Sequence, residues 1–299
     1  MTRVLAFGGA VIDLVPAGGD HWQARAGGSA WTVARCLARL GLSAPFVGAL
    51  SDDPFGQRLA AEGQAAGLDL SFVQRVSAPT ALAVIHRAHP ALYAFYAAQA
   101  ADSQFGDVPP AAWDGARAAY FGGITLVREP ARAAFLQQAQ TARARGLTVV
   151  YDPNYRAQLA EAYREAFVAY LPLTDVLKVS EEDLGGLLPD LGTDQALAHI
   201  RSIHPAVTVL LTLGSAGARL LGPDLDLHHP GYPVKVADTV GAGDASIAAL
   251  LSVRLQHPEW PARRQLGFAL AAAAAACTVA GAHAPSHSDV LQIMQDPQG

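Results

Sequence analysis

Cysteine is scarce in this sequence of 299 residues. Only Cys36 and Cys277 occur, far apart and in apolar surroundings typical of helices, and they do not form a CxxC pair. Disulfides rarely persist in a reducing compartment, so we interpret both residues as buried thiols of a cytoplasmic protein.

Charge and long apolar runs are also limited. Charged residues make up 16% of the chain, the net charge is -5, and no long Lys/Arg cluster occurs, which excludes the electrostatic signature of a nucleic-acid or anionic-membrane partner. Asp13 interrupts the first apolar run before it could form a signal-peptide core. Residues 266–284 are mostly alanine and predict a buried helix instead of a membrane span.

What the sequence does contain is a regular alternation of short apolar runs with helical stretches. The alternation predicts an α/β fold with a doubly wound, mostly parallel sheet covered by helices, and the length suits one domain over residues 1–299. Predicted strands lie at 4–7, 45–49, 119–121, 148–151, 176–179 and 207–213, and predicted helices at 30–40, 55–66, 131–144, 162–170, 194–203 and 245–255.

Two segments, 15–25 and 80–96, break this alternation, because both have strand-like patterns and no long helix separates 81–87 from 92–96. The dipeptide His89-Pro90 suits a hairpin turn. We predict a small separate β-sheet from roughly 14–26 and 80–100, which acts as a lid and closes over the ligands to exclude water.

The segment 238–244 reads DTVGAGD and precedes an apolar helical pattern. Small residues let the backbone approach a ligand, and N–H groups at a helix start carry the positive end of the helix dipole. Such a loop can stabilise a transferring phosphoryl group, and Asp244 could accept a hydroxyl proton. The alternative is an ordinary capping aspartate.

This string resembles the DTxGAGD signature of the ribokinase (PfkB) family of carbohydrate kinases. The resemblance implies a ribokinase-like fold, ATP and Mg²⁺ as cofactors, and a sugar substrate. It also implies that Asp244 is the catalytic base and that Gly241, Ala242 and Gly243 form the anion hole. Ser246 stands where most members have Phe.

The resemblance continues at residues 27–34, GGSAWTVA, against the family's GGxxxNVA. It implies that Gly27 and Gly28 approach sugar hydroxyls, although a tight strand-to-helix turn explains them too. Thr32 replaces the substrate-binding Asn of the family. Asp13, predicted at the end of the first strand, matches the Asp with which relatives hold two sugar hydroxyls, and its alternative is a turn residue.

On the nucleotide side, residues 152–156, DPNYR, resemble the DPNxR motif of fructokinases and 2-keto-3-deoxygluconate kinases, which implies that Arg156 contacts the transferred phosphate. Residues 178–183, KVSEED, match the family's KVSxxE, which implies nucleotide contact by Lys178 and a place near Mg²⁺ for Glu181. The alternative for Arg156 is a surface salt bridge. The alternative for the acidic residues 181–183 is a solvated helix start.

The turn at residues 212–217, TLGSAG, resembles the family's TLGxxG, which implies that Thr212, Gly214 and Gly217 approach the nucleotide; a hairpin requirement is the alternative. Within the family, Phe95-Tyr96 with Ala101-Asp102 favours a fructokinase, although Ala97 replaces the usual Arg.

Other functions stay open at this point. A 2-keto-3-deoxygluconate kinase, another PfkB sugar or nucleoside kinase, and a non-catalytic sugar sensor all fit the same motifs. A dehydrogenase does not, because Gly8-Gly9-Ala10 lacks the third glycine of GxGxxG. Some relatives hold a monovalent cation beside the residue matching Asp238, and similar proteins often form a homodimer through the lid, whose edge is predicted to be exposed.

Overall fold

A computed structural model describes residues 2–87 and 92–295 of the chain. The predicted turn at His89-Pro90 lies outside these residues. In chain order the strands are β1 (Arg3–Gly8), β2 (Val11–Pro16), β3 (Trp22–Gly27), β4 (Phe46–Val47), β5 (Ala49–Ser51), β6 (Gln74–Val76), β7 (Leu82–Arg87), β8 (Leu92–Tyr96), β9 (Ala116–Gly122), β10 (Thr148–Asp152), β11 (Val176–Ser180), β12 (Thr208–Thr212), β13 (Ala218–Gly222) and β14 (Leu225–His229).

Eight strands form a large sheet in the order β14-β13-β12-β11-β10-β9-β1-β4. The strands from β12 to β4 in this order pair in parallel, and the hairpin β13–β14 adds two antiparallel strands at one edge. The central strands are buried on both faces, as expected of a parallel sheet.

Helices cover both faces of this sheet. One apolar core lies between the sheet and the first, seventh, eighth and ninth helices in chain order, and the other between the sheet and the third to sixth helices. The predicted doubly wound α/β architecture is confirmed. The helices are α1 (Ser29–Arg39), α2 (Pro54–Ala65), α3 (Ala131–Ala144), α4 (Ala160–Tyr170), α5 (Glu181–Leu187), α6 (Thr193–Ile203), α7 (Ala242–Gln256), α8 (Ala262–Cys277) and α9 (His287–Gln295).

The predicted small sheet is also present, with four strands in the order β3-β2-β7-β8. Strands β2 and β3 form an antiparallel hairpin in which Asp13 pairs with Arg25, and β7 pairs in parallel with β2. Both edge strands carry one large exposed aromatic side chain, Trp22 on β3 and Tyr96 on β8. A third, two-stranded sheet joins β5 and β6.

Three predicted boundaries were wrong. Asp13 does not end the first strand but lies within β2, because β1 stops at Gly8, whose φ of +151° turns the chain into the small sheet. Segment 15–25 is not continuous; it contains a turn closed by the hydrogen bond from Ala17 N–H to the His21 carbonyl. The alanine-rich helix ends at Cys277, before a loop through Gly281 that reaches the cavity described below.

None of the helices among residues 2–87 and 92–295 combines the length and the apolar character needed to cross a bilayer. The alanine-rich α8 instead packs against α7 in the core, where all but a few of its side chains are buried.

Candidate active site

A cavity of about 780 Å³ lies between the small sheet and one end of the large sheet. Its walls include Lys178 within β11, and Gly9, Gly123 and Asn154, which follow strands β1, β9 and β10. These are the carboxyl ends of parallel strands, where open α/β sheets usually bind their ligands. The fold therefore places the predicted sugar-binding residues and the predicted phosphate-binding loop around one cavity.

The start of α7 forms one wall of this cavity. Gly241 precedes the helix with φ +82°, a left-handed conformation that suits glycine, and an added Cβ would lie 3.0 Å from Ala282 Cα. Among the described residues, the N–H groups of Gly241, Gly243 and Asp244 find no acceptor, whereas that of Ala242 donates to the Thr239 carbonyl at 3.3 Å. Gly241 and Gly243 line the cavity and Ala242 does not.

Asp244 lies on the first turn of α7 with 9% of its surface exposed, and it lines the same cavity. Its Oδ1 accepts a hydrogen bond of 2.6 Å from Ser29 Oγ at the start of α1. Burial, and then the nearby Asp152 carboxylate, raise the pKa of Asp244 to about 7, while the Ser29 bond and the charges of Lys178 and Arg156 oppose the rise. Asp244 can thus exchange a proton near neutral pH.

Asp13 faces the cavity from the small sheet. Burial raises its pKa to about 6, and the charge of Arg156 partly offsets the rise. Gly27 lines the cavity next to it, and any Cβ at Gly27 would collide with the Asp13 carboxylate. Gly28, the residue before α1, and Thr32 on α1 complete this wall; the Thr32 methyl faces Gly241.

Arg156 and Lys178 bring positive charge to the cavity. Arg156 Nη1 donates to the carbonyls of Asn154 at 3.1 Å and Tyr155 at 2.7 Å, and its guanidinium lies 5.4 Å from the centre of the Tyr93 ring on the small sheet. Lys178 Nζ lies 3.3 Å from Asp152 Oδ1. Lys178 also lies against Gly243, since a Cβ on that glycine would be 2.9 Å from Nζ. It therefore stands beside Asp244 and the α7 start.

Besides Ala242, four further predicted residues do not line the cavity. Glu181 is exposed as the first residue of α5, and its neighbour Glu182 faces the cavity instead. Thr212, Gly214 and Gly217 lie at the turn between β12 and β13, outside the cavity wall. Their predicted contacts with a nucleotide stay predictions.

The structure also brings in residues that the sequence reasoning did not select. Ser29, Asp152 and Asn154 lie within the sequence motifs, but no role was predicted for them. Asn154 has φ +49°, unusual for a residue other than glycine, and it lines the cavity. Tyr120, buried on β9, lies 2.6 Å from Ser29 Oγ, and no motif in the sequence pointed to it.

This chain is similar to known proteins over most of its length. The family described as pfkB family carbohydrate kinase matches residues 1–289. The chain is 35% identical over 315 aligned positions to fructokinase-1 of Oryza sativa subsp. japonica, covering 98% of this chain and 97% of that protein.

Two solved structures share the whole fold. Fructokinase with bound ATP from Xylella fastidiosa has a TM-score of 0.89 at 28% identity, with 98% of each chain covered. Aminoimidazole riboside kinase from Salmonella enterica, complexed with aminoimidazole riboside and an ATP analog, has a TM-score of 0.85 at 28% identity, covering 98% of this chain and 100% of that one. The ribokinase-like fold predicted from the sequence is confirmed.

The raised pKa of Asp244 predicts a pH-dependent cost to stability. Between the ordinary carboxyl pKa and about 7, the folded protein keeps the proton on Asp244 while the unfolded chain has lost it, so this residue lowers stability as pH rises through that window. Asp244→Asn should therefore gain stability relative to wild type from pH 4 to pH 7, by about 2 to 4 kcal/mol, and no more above it. Urea unfolding at a series of pH values measures this difference; a flat difference would contradict the buried, weakly acidic carboxyl.

Proposed function

The chain belongs to the pfkB family of carbohydrate kinases, and we propose that it transfers the γ-phosphoryl group of ATP to a hydroxyl of a free sugar, with fructose as the foremost substrate. One observation carries the proposal. A buried carboxylate, Asp244, faces the same cavity as Asp13, and so do Gly241 and Gly243 at the start of α7, whose N–H groups have no acceptor in the described part of the chain. A proton acceptor and an anion-binding helix start at one place are what phosphoryl transfer to an alcohol requires.

The chemistry follows from these positions. Asp13 accepts hydrogen bonds from sugar hydroxyls and orients the ring. Asp244 takes the proton of the attacking hydroxyl while the sugar oxygen bonds to the γ-phosphorus and the bond to the β-phosphate oxygen breaks, which leaves ADP. The N–H groups of Gly241 and Gly243 stabilise the charge on the transferring group. Lys178 beside Gly243 adds a positive charge there.

A divalent cation fits the chemistry of this cavity wall. Mg²⁺ in nucleotide sites is bound mainly by phosphate oxygens and water, with one or two carboxylates, and it needs no dedicated protein cage. Glu182 supplies a carboxylate that faces the cavity, next to the predicted Glu181. When bound with ATP, the ion would neutralise phosphate charge, and Glu182 would help to hold it; the role of Glu181 stays a prediction.

Fructose is favoured over other acceptors by the identity to fructokinase-1 over nearly the whole of both chains. The main competitor is a riboside, because aminoimidazole riboside kinase is similar over its full length and Thr32 stands at the substrate-binding Asn position. Ala97 stands where fructokinases usually have an Arg. Arg128 contacts the Ala97 carbonyl and pairs with the buried Asp102, and it does not line the cavity.

A coupled assay of ADP formation with fructose, ribose, 2-keto-3-deoxygluconate and nucleosides tests the function. We expect the highest kcat/KM with fructose.

Asp244→Asn should lower kcat about 10²- to 10⁴-fold, because it removes the proton acceptor. Asp194→Asn, a surface carboxylate change, is the control and should leave kcat unchanged. If calorimetry finds sugar binding but wild type forms no ADP with any acceptor, the protein is a sensor and the kinase proposal fails.

The surroundings of Asp238 do not fit the monovalent cation found in some relatives. Asp238 Oδ1 accepts from Val240 N–H at 3.1 Å, and Oδ2 accepts from Gly281 N–H at 2.8 Å. Arg25 of the small sheet places Nη1 3.5 Å from the same Oδ2. A second positive charge at this carboxylate would be repelled by the guanidinium. We propose that the Arg25 guanidinium supplies the positive charge beside Asp238 in place of a monovalent cation.

Wild-type turnover should therefore be the same in potassium, sodium or tetramethylammonium chloride. Arg25→Met should make turnover rise with potassium, because the freed Asp238 carboxylate can then bind the ion. Arg58→Met, an exposed arginine on α2, is the matched control and should show no such response. A wild-type enzyme that already requires potassium would contradict this role of Arg25.

A homodimer through the small sheet stays a prediction. The observation that supports it is an exposed aromatic side chain on each edge strand, Trp22 at 45% and Tyr96 at 64% exposure. Light scattering should then give the mass of two chains, and Trp22→Lys with Tyr96→Lys should reduce it to one. A single-chain mass for wild type would exclude the dimer.

A further inference from the structure

Asp244 is the end of a buried row of hydrogen-bonding side chains. Ser29 Oγ lies 2.6 Å from Asp244 Oδ1, the Tyr120 hydroxyl lies 2.6 Å from Ser29 Oγ, and Asp152 Oδ2 lies 3.4 Å from the Tyr120 hydroxyl. Each of the four side chains is at most 9% exposed. They come from α7, α1, β9 and β10, so the row crosses the core beneath the cavity.

Counting hydrogens fixes the direction of these bonds. Ser29 and Tyr120 each have one hydroxyl hydrogen. When Asp244 is ionised, Ser29 must donate to it, so Tyr120 donates to Ser29 and has no hydrogen left for Asp152. The distances agree with this state, because the two bonds toward Asp244 are short and the Tyr120–Asp152 contact is long. Asp152 meanwhile accepts from Lys178 through its other oxygen.

Protonation of Asp244 leaves the row in place. The sugar proton arrives on Oδ2, the oxygen that Ser29 does not bond, so Oδ1 still accepts from Ser29 and Ser29 still accepts from Tyr120. The bond from Ser29 is stronger to the ionised carboxylate than to the neutral carboxyl, so the row favours the ionised form. Burial, followed by the charges of Asp152 and Asp244, raises the pKa of Tyr120 well above its ordinary value, so the phenol keeps its hydrogen in both states.

We propose that Ser29 and Tyr120 are positioning residues of phosphoryl transfer, forming a hydroxyl pair that donates to Oδ1 of Asp244 and stabilises its ionised form, so that Oδ2 is ready to take the sugar proton. The proposal rests on the kinase function proposed above. Because Ser29 bonds Oδ1, the other oxygen of Asp244 is left for the substrate hydroxyl. The pair thus keeps one carboxylate oxygen pointed at a fixed partner while the other does the chemistry.

Other charges around Asp244 set the directions of the expected shifts. The like charge of Asp152 raises the pKa of Asp244, whereas the Ser29 hydrogen bond lowers it. Burial raises the pKa of Cys36 to about 12, so this thiol is neutral and contributes no charge. The titratable and charged groups that face Asp244 are Asp152 on β10, Arg156 after β10, Lys178 on β11, Tyr120 on β9 and Cys36 on α1.

The test is the acidic limb of the kcat/KM profile against pH. Ser29→Ala should move this limb to higher pH by about one to two units, because a hydrogen bond to the ionised carboxylate is lost. Tyr120→Phe should move it in the same direction by less, since Ser29 can still donate. Asp152→Asn should move it to lower pH. Ser252→Ala, a buried hydrogen-bonded serine of α7 away from the cavity, should leave it in place.

The double variant Ser29→Ala with Tyr120→Phe gives the sharpest comparison. Tyr120 acts on Asp244 through Ser29, so the double variant should show the shift of Ser29→Ala alone. Additive shifts would mean that the two residues act separately. A lower kcat with an unmoved limb in Ser29→Ala would mean that Ser29 only supports the fold. Either result overturns the proposal.

A second measurement does not depend on turnover. The pH dependence of unfolding free energy, compared with and without Asp244→Asn, reports the titration of Asp244 directly. In the Ser29→Ala background its upper midpoint should move to higher pH by the same one to two units, given the lost charge-assisted bond, about what the kinetic limb shows. If no sugar is phosphorylated but this midpoint moves, the kinase function fails and the coupling to Ser29 stands; if it does not move, the coupling is wrong.

Discussion

The site depends on one costly arrangement, a carboxylate buried at the start of a helix. Removing an ionised carboxyl from water is unfavourable unless hydrogen bonds and positive charge replace its hydration. Here the positive end of α7, the Ser29 hydroxyl and the nearby Lys178 provide part of that replacement, and Asp152 opposes it. The balance leaves Asp244 weakly acidic, close to the pKa at which a base works well near neutral pH.

This arrangement requires two helix starts to meet. Ser29 begins α1 and Asp244 lies on the first turn of α7, and both helices pack in the same core on one face of the large sheet. Alanine-rich helices α7 and α8 allow close packing there. Because the helices are fixed by an apolar core that does not take part in the chemistry, the separation of the two side chains can be held within a hydrogen bond.

Sequence reasoning reached the fold and most of the cavity, and its failures have physical causes. The spacing of apolar residues predicted the large sheet and its helices. The glycine-containing motifs at 27–34 and 238–244 predicted the starts of α1 and α7. Asp13 was placed on the wrong strand because an apolar run does not reveal where Gly8 turns the chain from one sheet to the other. No role was predicted for Tyr120, because it lies in a sequence pattern typical of any buried strand. Its contact with Asp152 arises from the pairing of β9 with β10 in the folded sheet. Glu182 rather than Glu181 faces the cavity because one residue rotates a side chain about 100° around a helix axis.

The distribution of charge within the cavity separates structural from ligand-facing carboxylates. Asp152 is paired with Lys178, and Asp238 with Arg25. Asp13 and Asp244 have no salt-bridge partner in the part of the chain that the structure describes, and both have a raised pKa. A buried carboxyl without a cation retains acceptor capacity that neutral hydroxyl groups can fill without bringing a new charge into the cavity. Two such groups in one cavity suit a polyhydroxy ligand bound by one carboxylate and deprotonated by the other, whereas an acidic ligand would meet them with like charge.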